Sequence, residues 1–133
     1  PSGVEGQGWF HIVFTWDATG TSKAYINAES PATISISSLT WSGNWDAATV
    51  DLGESNSGST DFWGFVTDFA VFDRELTATE ITNIYNGGKP KDETSKDPIA
   101  YWRLEEGTGT AVKDRMQGLA GTISGAAWST DVP

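Results

Sequence analysis

Apolar and aromatic side chains recur at every second position in the first clear element of the chain, residues 9–16. Phe10, Ile12, Phe14 and Trp16 follow the two-residue period of a β-strand. The positions between them are also mostly apolar, so the pattern predicts a strand covered on both faces. Turn-forming residues follow, and a second β-prone run then predicts a hairpin whose strands are 9–16 and 23–28.

Further short strands are predicted downstream, separated by loops rich in Gly, Ser and Asn. They lie around 34–36, at 49–53, within the aromatic run 62–72, at 99–104 and around 122–128. Gly64 in the aromatic run indicates a bulge or a close approach of the backbone. We expect the run 99–104 to pair with 65–72, in its own chain or in a neighbouring copy, because either strand would otherwise be an exposed, association-prone edge.

One segment has a helical pattern. Thr77 and Glu80 have the spacing of a capping box, in which the two side chains reciprocally satisfy free backbone N–H groups. Ile81 and Ile84 share a face at helical spacing, and a Gly-Gly pair follows. The pattern predicts one short helix near residues 78–86 in an otherwise all-β chain.

Two groups of residues match, in order, the pattern of a known family. The first is Trp9-x-His11 with the Tyr25-Ile26-Asn27 run, and the second is the stretch 62–81. Together they resemble the hairpin, closing strand and short helix of laminin-G-like jelly rolls in the concanavalin A-like lectin/glucanase superfamily. The resemblance implies an all-β, antiparallel two-sheet jelly-roll sandwich with one short helix, used for glycan, protein or surface recognition.

The C-terminal tail is similar to the opening strands of the same family, so the family's order is inverted here. The family's central strands have no counterpart. We interpret residues 1–90 as the closing part of a sandwich, 91–98 as a polar, proline-bracketed linker, and 99–133 as opening strands. The opening strands belong to the same domain if the sandwich is permuted, and to the next module if the chain crosses a tandem junction. A segment of a longer repeated or multi-domain protein is the favoured interpretation.

Composition narrows the range of partners. The 133 residues include 8 Lys+Arg and 18 Asp+Glu, a net charge of −10, and no cysteine. An acidic surface repels nucleic acid and anionic membranes and attracts hard cations such as calcium. Without cysteine there are no disulfides or thiolate metal sites. No apolar run approaches the roughly 20 residues that span a bilayer, so no membrane insertion is expected.

Four residues are candidates for ligand binding. Aromatic faces stack on the C–H faces of sugar rings, and amides make directional hydrogen bonds to hydroxyls. A loop-like, Gly-containing stretch at 41–46 carries suitable side chains, and the aromatic run adds one more. The candidates are Trp41, Asn44, Trp45 and Trp63. The alternative is that these Trp side chains cover the end of the core.

A calcium site is implied by the resemblance alone. Family members often bind calcium through an Asp after the opening strand, which Asp114 matches, and an Asp on the closing strand, beside which Asp68 lies. The residues after Asp114 include Arg115 and Met116 where oxygen ligands are wanted. Calcium is therefore a possible ligand, expected to bind weakly and to need Asp114, and no cofactor is expected to be required. The alternative is a turn-forming Asp114 and an ordinary sheet Asp68.

Catalysis is not expected. The paired carboxylates that a glycosidase places on one strand face have no counterpart, because the adjacent Glu105 and Glu106 would point to opposite faces. His11, the single histidine, is expected to be a core residue. We expect a non-catalytic lectin-like recognition or adhesion module of a larger secreted or virion surface protein, located outside the cell or on a cell or virion surface. The alternative is a structural or decoration domain that binds other protein subunits in a multi-subunit assembly, and a glycoside hydrolase is the least expected function.

Overall fold

The computed structural model describes residues 8–16, 21–35, 51–53, 62–118 and 120–133. Strands predominate there: β1 (Ile12–Trp16), β2 (Thr21–Ile26), β3 (Ala32–Ser35), β4 (Phe69–Val71), β5 (Ala100–Trp102), β6 (Ala111–Val112) and β7 (Gly121–Thr122), with one α-helix, α1 (Ala78–Tyr85), between β4 and β5. The strand pairs are antiparallel. In these ranges no helix has the length and apolar character needed to cross a membrane.

The first sheet contains β1, β2 and β3, with β2 in the centre. Val13 pairs with Tyr25 and Thr15 with Lys23, which confirms the predicted hairpin. Asn27 ties the open end of the hairpin to the start of β1. Its N–H donates to the His11 carbonyl over 2.9 Å, and its Oδ1 accepts from the His11 N–H over 3.0 Å.

The two faces of β1 have different surroundings. Thr15 is buried at 5% exposure and Val13 packs against the core, whereas Ile12, Phe14 and Trp16 are 55%, 60% and 41% exposed. The expectation that β1 is covered on both faces is therefore wrong for the face carrying Ile12, Phe14 and Trp16. The core cluster forms against the opposite face, and burial of that side alone is sufficient to fix the hairpin register.

Helix α1 supplies the core beneath this sheet. The capping box forms as predicted: Thr77 Oγ1 accepts from the Glu80 N–H over 3.2 Å, and Glu80 Oε2 accepts from the Thr77 N–H over 2.8 Å. Ile81 is fully buried and packs with Tyr25 and Leu76. The helix ends where Asn86 takes the left-handed conformation, with φ 47°. The helix predicted near residues 78–86 is confirmed.

Strands β4 and β5 form a second, two-stranded sheet. Phe69 pairs with Trp102 and Val71 with Ala100, and the Ile99 N–H donates to the Val71 carbonyl over 2.9 Å. The rings of Phe69 and Trp102 stack with centroids 5.7 Å apart. The pairing predicted between 99–104 and 65–72 is confirmed, and it forms within one chain.

Both strands of this pair are shorter than predicted. Asp68 and Leu104, which lie just beyond the same end of the β4–β5 pair, have φ values of 51° and 59°. This left-handed conformation interrupts the extended backbone that a ladder needs, so residues 62–68 do not continue β4. Strand structure is also missing at 51–53, part of a predicted strand, and the strand predicted around 122–128 is reduced to β7, which pairs with β6.

The polar segment 91–98 packs against the second sheet. Glu93 and Pro98 are buried, and residues Thr94–Lys96 form a single 3-10 turn that ends at the left-handed Asp97. The Lys91 carbonyl oxygen lies 3.1 Å from the hydroxyl of Tyr101 in β5. The connection between α1 and β5 is therefore part of the packed structure.

Replacing Thr77 with Ala should lower the free energy of unfolding by about 1 kcal/mol, because the Glu80 N–H loses its acceptor at the start of α1. Urea or thermal unfolding measures the loss. Thr79→Ala, in the same exposed first turn, is the matched control and should change stability by less than about 0.5 kcal/mol. A larger loss for Thr79→Ala than for Thr77→Ala would contradict the assigned cap.

Candidate functional site

Trp63 is the one predicted ligand-binding residue within the described ranges, and it is 93% exposed. Trp41, Asn44 and Trp45 lie outside those ranges. The neighbours of Trp63 are exposed too, Phe62 at 59% and Phe65 at 54%. Large aromatic side chains seldom gather at a surface without a binding role. We call residues 62–65 the aromatic segment.

One backbone hydrogen bond and one ring contact join the aromatic segment to neighbouring residues. The Phe62 N–H donates to the Gly53 carbonyl over 2.7 Å, and the ring of Phe65 lies 6.1 Å from that of Trp9. A Cβ on Gly64 would lie 2.9 Å from ring atoms of Phe62. This confirms the close approach predicted at Gly64: the ring of Phe62 lies against its backbone, while Trp63 extends into solvent.

Asp114, a predicted metal ligand, is 8% exposed and organises a turn. Its Oδ1 accepts from the N–H groups of Tyr101 and Met116, and its Oδ2 from that of Gly118, each over 2.9 Å. Three backbone donors stabilise the charged carboxylate strongly. An Asp followed by turn-forming residues is the sequence pattern of a carboxylate that caps a turn. The contacts of Asp114 agree with the alternative given above, a turn-forming Asp114.

Asp68, the second predicted metal ligand, lies at the other end of Tyr101. Its Oδ1 accepts from the Tyr101 hydroxyl over 2.6 Å and lies 3.4 Å from Nε of Arg103. Burial, and then the bond to Asp68, raise the pKa of Tyr101, so the phenol remains a donor. The structure therefore brings both carboxylates to Tyr101, one at its hydroxyl and one at its backbone N–H.

Calcium binding by Asp68 and Asp114 stays a prediction. In the described part of the chain no group of three or more His, Asp or Glu side chains is arranged to hold a metal ion. The protein donors around both carboxylates compete with a cation for the same oxygen lone pairs. Any calcium site at either residue must draw its remaining ligands from elsewhere.

A charged network beside Tyr101 was missed by the sequence interpretation. Arg103 NH1 lies 3.3 Å from Glu105 Oε2, and Arg115 forms a further ion pair with Glu105. The sequence carries a phenol, a guanidinium and a carboxylate at alternate positions 101, 103 and 105, although β5 itself ends at Trp102. The network places paired positive and negative charges on the surface next to Asp68.

Glu93 is a second residue that the sequence interpretation missed, because it falls in the presumed linker. It is 5% exposed, and both carboxylate oxygens are buried without a hydrogen-bond partner among the described residues. Burial raises its pKa, nearby Asp68 and Asp92 add to the increase, and Lys91 and Lys96 oppose it. An unpartnered carboxylate destabilises the fold when it is charged.

His11 is packed, as expected of a core histidine. Its ring stacks on that of Tyr85 with centroids 5.9 Å apart, and burial lowers its pKa. Its Nδ1 is buried with no hydrogen-bond partner in the described ranges. A half-buried ring with a lowered pKa is neutral at pH 7, which suits packing against Tyr85.

Replacing Asp114 with Ala should lower the free energy of unfolding by at least about 2 kcal/mol, because three backbone N–H groups lose their acceptor. Denaturant unfolding measures the loss. Asp131→Ala, an exposed carboxylate near the C-terminus, is the control and should cost less than about 0.5 kcal/mol. Equal losses for the two variants would show that Asp114 does not hold the turn.

Replacing Glu93 with Gln should raise stability at pH 7 by about 1 kcal/mol, since it removes a buried charge. A carboxyl whose pKa is raised in the folded state binds more protons there than in the unfolded chain. Its contribution to stability therefore improves as the pH falls through the raised pKa toward the ordinary value of 4.5. The advantage of Glu93→Gln should therefore shrink over that range.

The measurement is denaturant unfolding of wild type and variant from pH 7 to pH 4. Taking the difference between the two cancels the titration of the other carboxylates. Glu29→Gln makes the same change at an exposed position and should show no pH-dependent difference. An advantage of Glu93→Gln that is constant with pH would contradict the raised pKa.

Comparison with known proteins agrees with the hairpin, closing strand and helix described above. A laminin-G-type family model, described as the concanavalin A-like lectin/glucanases superfamily, matches residues 1–82. Searches of curated proteins and of solved structures returned no match. The resemblance of the tail to opening strands lies outside the matched residues and stays a prediction.

The match covers 82 of 133 residues and includes β1 to β4, the aromatic segment and the first turn of α1. Superfamily members are β-sandwiches, and their laminin-G-like domains are generally non-catalytic lectin-like modules, although glycosidases also occur in the superfamily. This chain belongs to the concanavalin A-like lectin/glucanase superfamily.

Proposed function

We propose that this chain is a non-catalytic recognition or adhesion module that binds glycan on a cell or virion surface, as part of a larger secreted or virion surface protein. The observation that carries the proposal is the 93% exposure of Trp63 between two exposed Phe side chains. Indole faces stack on the apolar faces of pyranose rings. Membership in a lectin-containing superfamily supports carbohydrate or protein binding at a coarser level.

We further propose that the chain contributes to a two-sheet jelly-roll sandwich. The exposed apolar face of β1, which carries Ile12, Phe14 and Trp16, is the kind of face that a second sheet covers. The pairing of β4 with β5 in one chain supports the permuted arrangement, in which residues 99–133 belong to the same domain as 1–90. In a tandem arrangement β5 would instead pair with a strand of the next module.

A structural role is the second candidate function. The same exposed apolar face of β1 favours it, because contiguous apolar surface marks a site of protein association. In that role the module would hold protein subunits together in a surface assembly and would not bind glycan. The two candidates use different surfaces, the aromatic segment and the β1 face, so they are separable by mutation.

Trp63→Ala should weaken glycan binding about tenfold or more, since it removes the stacking face. A glycan array of the wild type, with calcium and with a chelator, identifies the ligand, and titration of the best ligand gives the affinity. Phe14→Ala is the matched aromatic control and should retain glycan binding. Loss of binding on chelation would support the calcium site predicted at Asp68 and Asp114.

Light scattering on the same proteins tests the structural candidate. Three results together would replace the recognition role with the structural role. The wild type self-associates, Phe14→Ala disperses the oligomer, and the array shows no ligand. Equal glycan affinity in Trp63→Ala and wild type would show that the aromatic segment is not the binding surface.

A further inference from the structure

Residues 99–133, which we call the C-terminal unit, are joined to one another by their own hydrogen bonds. The Asp114 carboxylate accepts from the Tyr101 N–H over 2.9 Å, and β6 pairs with β7. Nε1 of Trp128 donates to the Gly109 carbonyl over 2.8 Å. Because these bonds lie within the unit, they are kept when the unit separates from the rest of the chain.

Contacts with β4 attach the C-terminal unit to the rest of the chain. Strand β5 pairs with β4 in the register given above, and the rings of Phe69 and Trp102 stack. Just before β4, Asp68 accepts from the Tyr101 hydroxyl over 2.6 Å. A second copy of the chain presents the same two surfaces. Each of these contacts can therefore form between two copies as well as within one.

The chain bends on its way to the C-terminal unit, within residues 92–97, which we call the hinge. A single 3-10 turn, Thr94–Lys96, makes the bend, and the Asp97 N–H closes it by donating to the Thr94 carbonyl over 3.1 Å. With this bend the unit returns to its own β4. Six extended residues span up to about 20 Å, so a straightened hinge carries the unit toward a neighbouring copy.

Two features of the bent hinge raise its free energy. Glu93 is 5% exposed, and both carboxylate oxygens are buried with no hydrogen-bond partner in the described ranges. A buried charge without a partner is destabilising. Asp97 has φ 57° and ψ 53°, a left-handed conformation that is strained for a residue with a Cβ, and the following Pro98 favours extended backbone there. Straightening the hinge moves Glu93 into water and lets Asp97 become extended.

The interactions that favour the bent hinge are weaker or depend on concentration. The Thr94 N–H donates to Oδ1 of Asp92 over 2.9 Å, and both residues are exposed, so water replaces this bond when the hinge opens. The larger advantage is proximity, since a short flexible linker holds its ends at an effective concentration in the millimolar range. Relief of two strained hinges in a dimer lowers the concentration at which exchange competes by about tenfold or more.

We propose that this chain forms a domain-swapped dimer, in which each copy pairs its β4 with β5 from the C-terminal unit of the other. The exchange is reciprocal, so the dimer is closed and leaves neither strand unpaired. The first sheet, α1 and the aromatic segment take no part in the exchange. The proposal therefore stands apart from the recognition function and does not depend on glycan binding.

The test uses the full chain, unfolded in urea and refolded at a series of protein concentrations. Unfolding is needed because β4 and β5 must separate before they can exchange. Size-exclusion chromatography with light scattering then measures the dimer. A dimer fraction that rises with the refolding concentration is expected. Monomer alone at every concentration up to the solubility limit would overturn the proposal.

The double variant Val71→Cys with Ala100→Cys distinguishes exchange from any other dimer. The two positions pair directly across β4 and β5, and the chain has no other cysteine, so the disulfide reports which chains supply the two strands. After oxidation, the dimer fraction should give covalent dimers on a non-reducing gel, and the monomer fraction internally bridged monomers. Internally bridged monomers from the dimer fraction would refute the exchange.

Variants of the hinge test its strain while both paired strands stay unchanged. Glu93→Gln and Asp97→Gly should each raise the dissociation constant of the dimer about tenfold, because each makes the bent hinge less costly and two hinges change per dimer. Glu29→Gln is the matched exposed control and should leave the constant unchanged, as should Phe14→Ala. Constants unchanged in both hinge variants would contradict the proposal, and a dimer lost in Phe14→Ala would assign the contact to the β1 face instead.

Discussion

One buried tyrosine connects the C-terminal third of the molecule to the rest. Tyr101 is 1% exposed, and such a ring contributes apolar burial only if its hydroxyl also has a partner. Asp68 supplies that partner at 2.6 Å, with the Lys91 carbonyl 3.1 Å away, while Asp114 accepts from the backbone N–H of the same residue. Tyr101 is therefore contacted by Asp68 just before β4, by the connection 91–98 and by the turn after β6.

The electrostatic consequences follow from that arrangement. Burial and the bond to Asp68 raise the pKa of Tyr101, so it keeps its proton and continues to donate. Arg103 lies against Asp68 and compensates its charge in a chain with a net charge of −10. Glu93, packed into the same region, has no such partner among the described residues. The region thus contains both a carboxylate with a cationic neighbour and a buried one without a partner in the described part of the chain, and burial raises the pKa of the second.

Local patterns in the sequence were sufficient for the hairpin and the helix. The period of two along β1, and the capping box from Thr77 to Glu80, act over a few residues, and the structure follows both. The β4–β5 pairing was predictable because two apolar edges each needed a partner. The left-handed Asp68 and Leu104 were not, since nothing local requires a positive φ at an Asp or a Leu.

Candidate sites were harder to predict for the same reason. The aromatic run at 62–65 has the same sequence pattern whether its side chains are buried or exposed. The exposure of Trp63 depends on tertiary packing, which the local sequence does not specify. The metal-binding role predicted for Asp68 and Asp114 stays a prediction. The contact that both carboxylates make with Tyr101 was not predictable locally, because Tyr101 lies 33 positions after Asp68 and 13 before Asp114. Glu93 was hidden in a stretch whose composition is typical of linkers.

The proposed glycan-binding surface, the aromatic segment, begins the stretch of chain that leads through β4 to the start of α1, residues 62–78. The packed structure fixes that stretch at two points: β4 pairs with β5, and Leu76 is buried against Tyr25 and Ile81. Under the proposed function, residues next to these fixed points would lose little conformational freedom on binding, so that weak contacts to a sugar would not be offset by the cost of ordering a loop. The hairpin and Tyr101 thus hold the two ends of β4 and α1, next to which Trp63 extends into solvent.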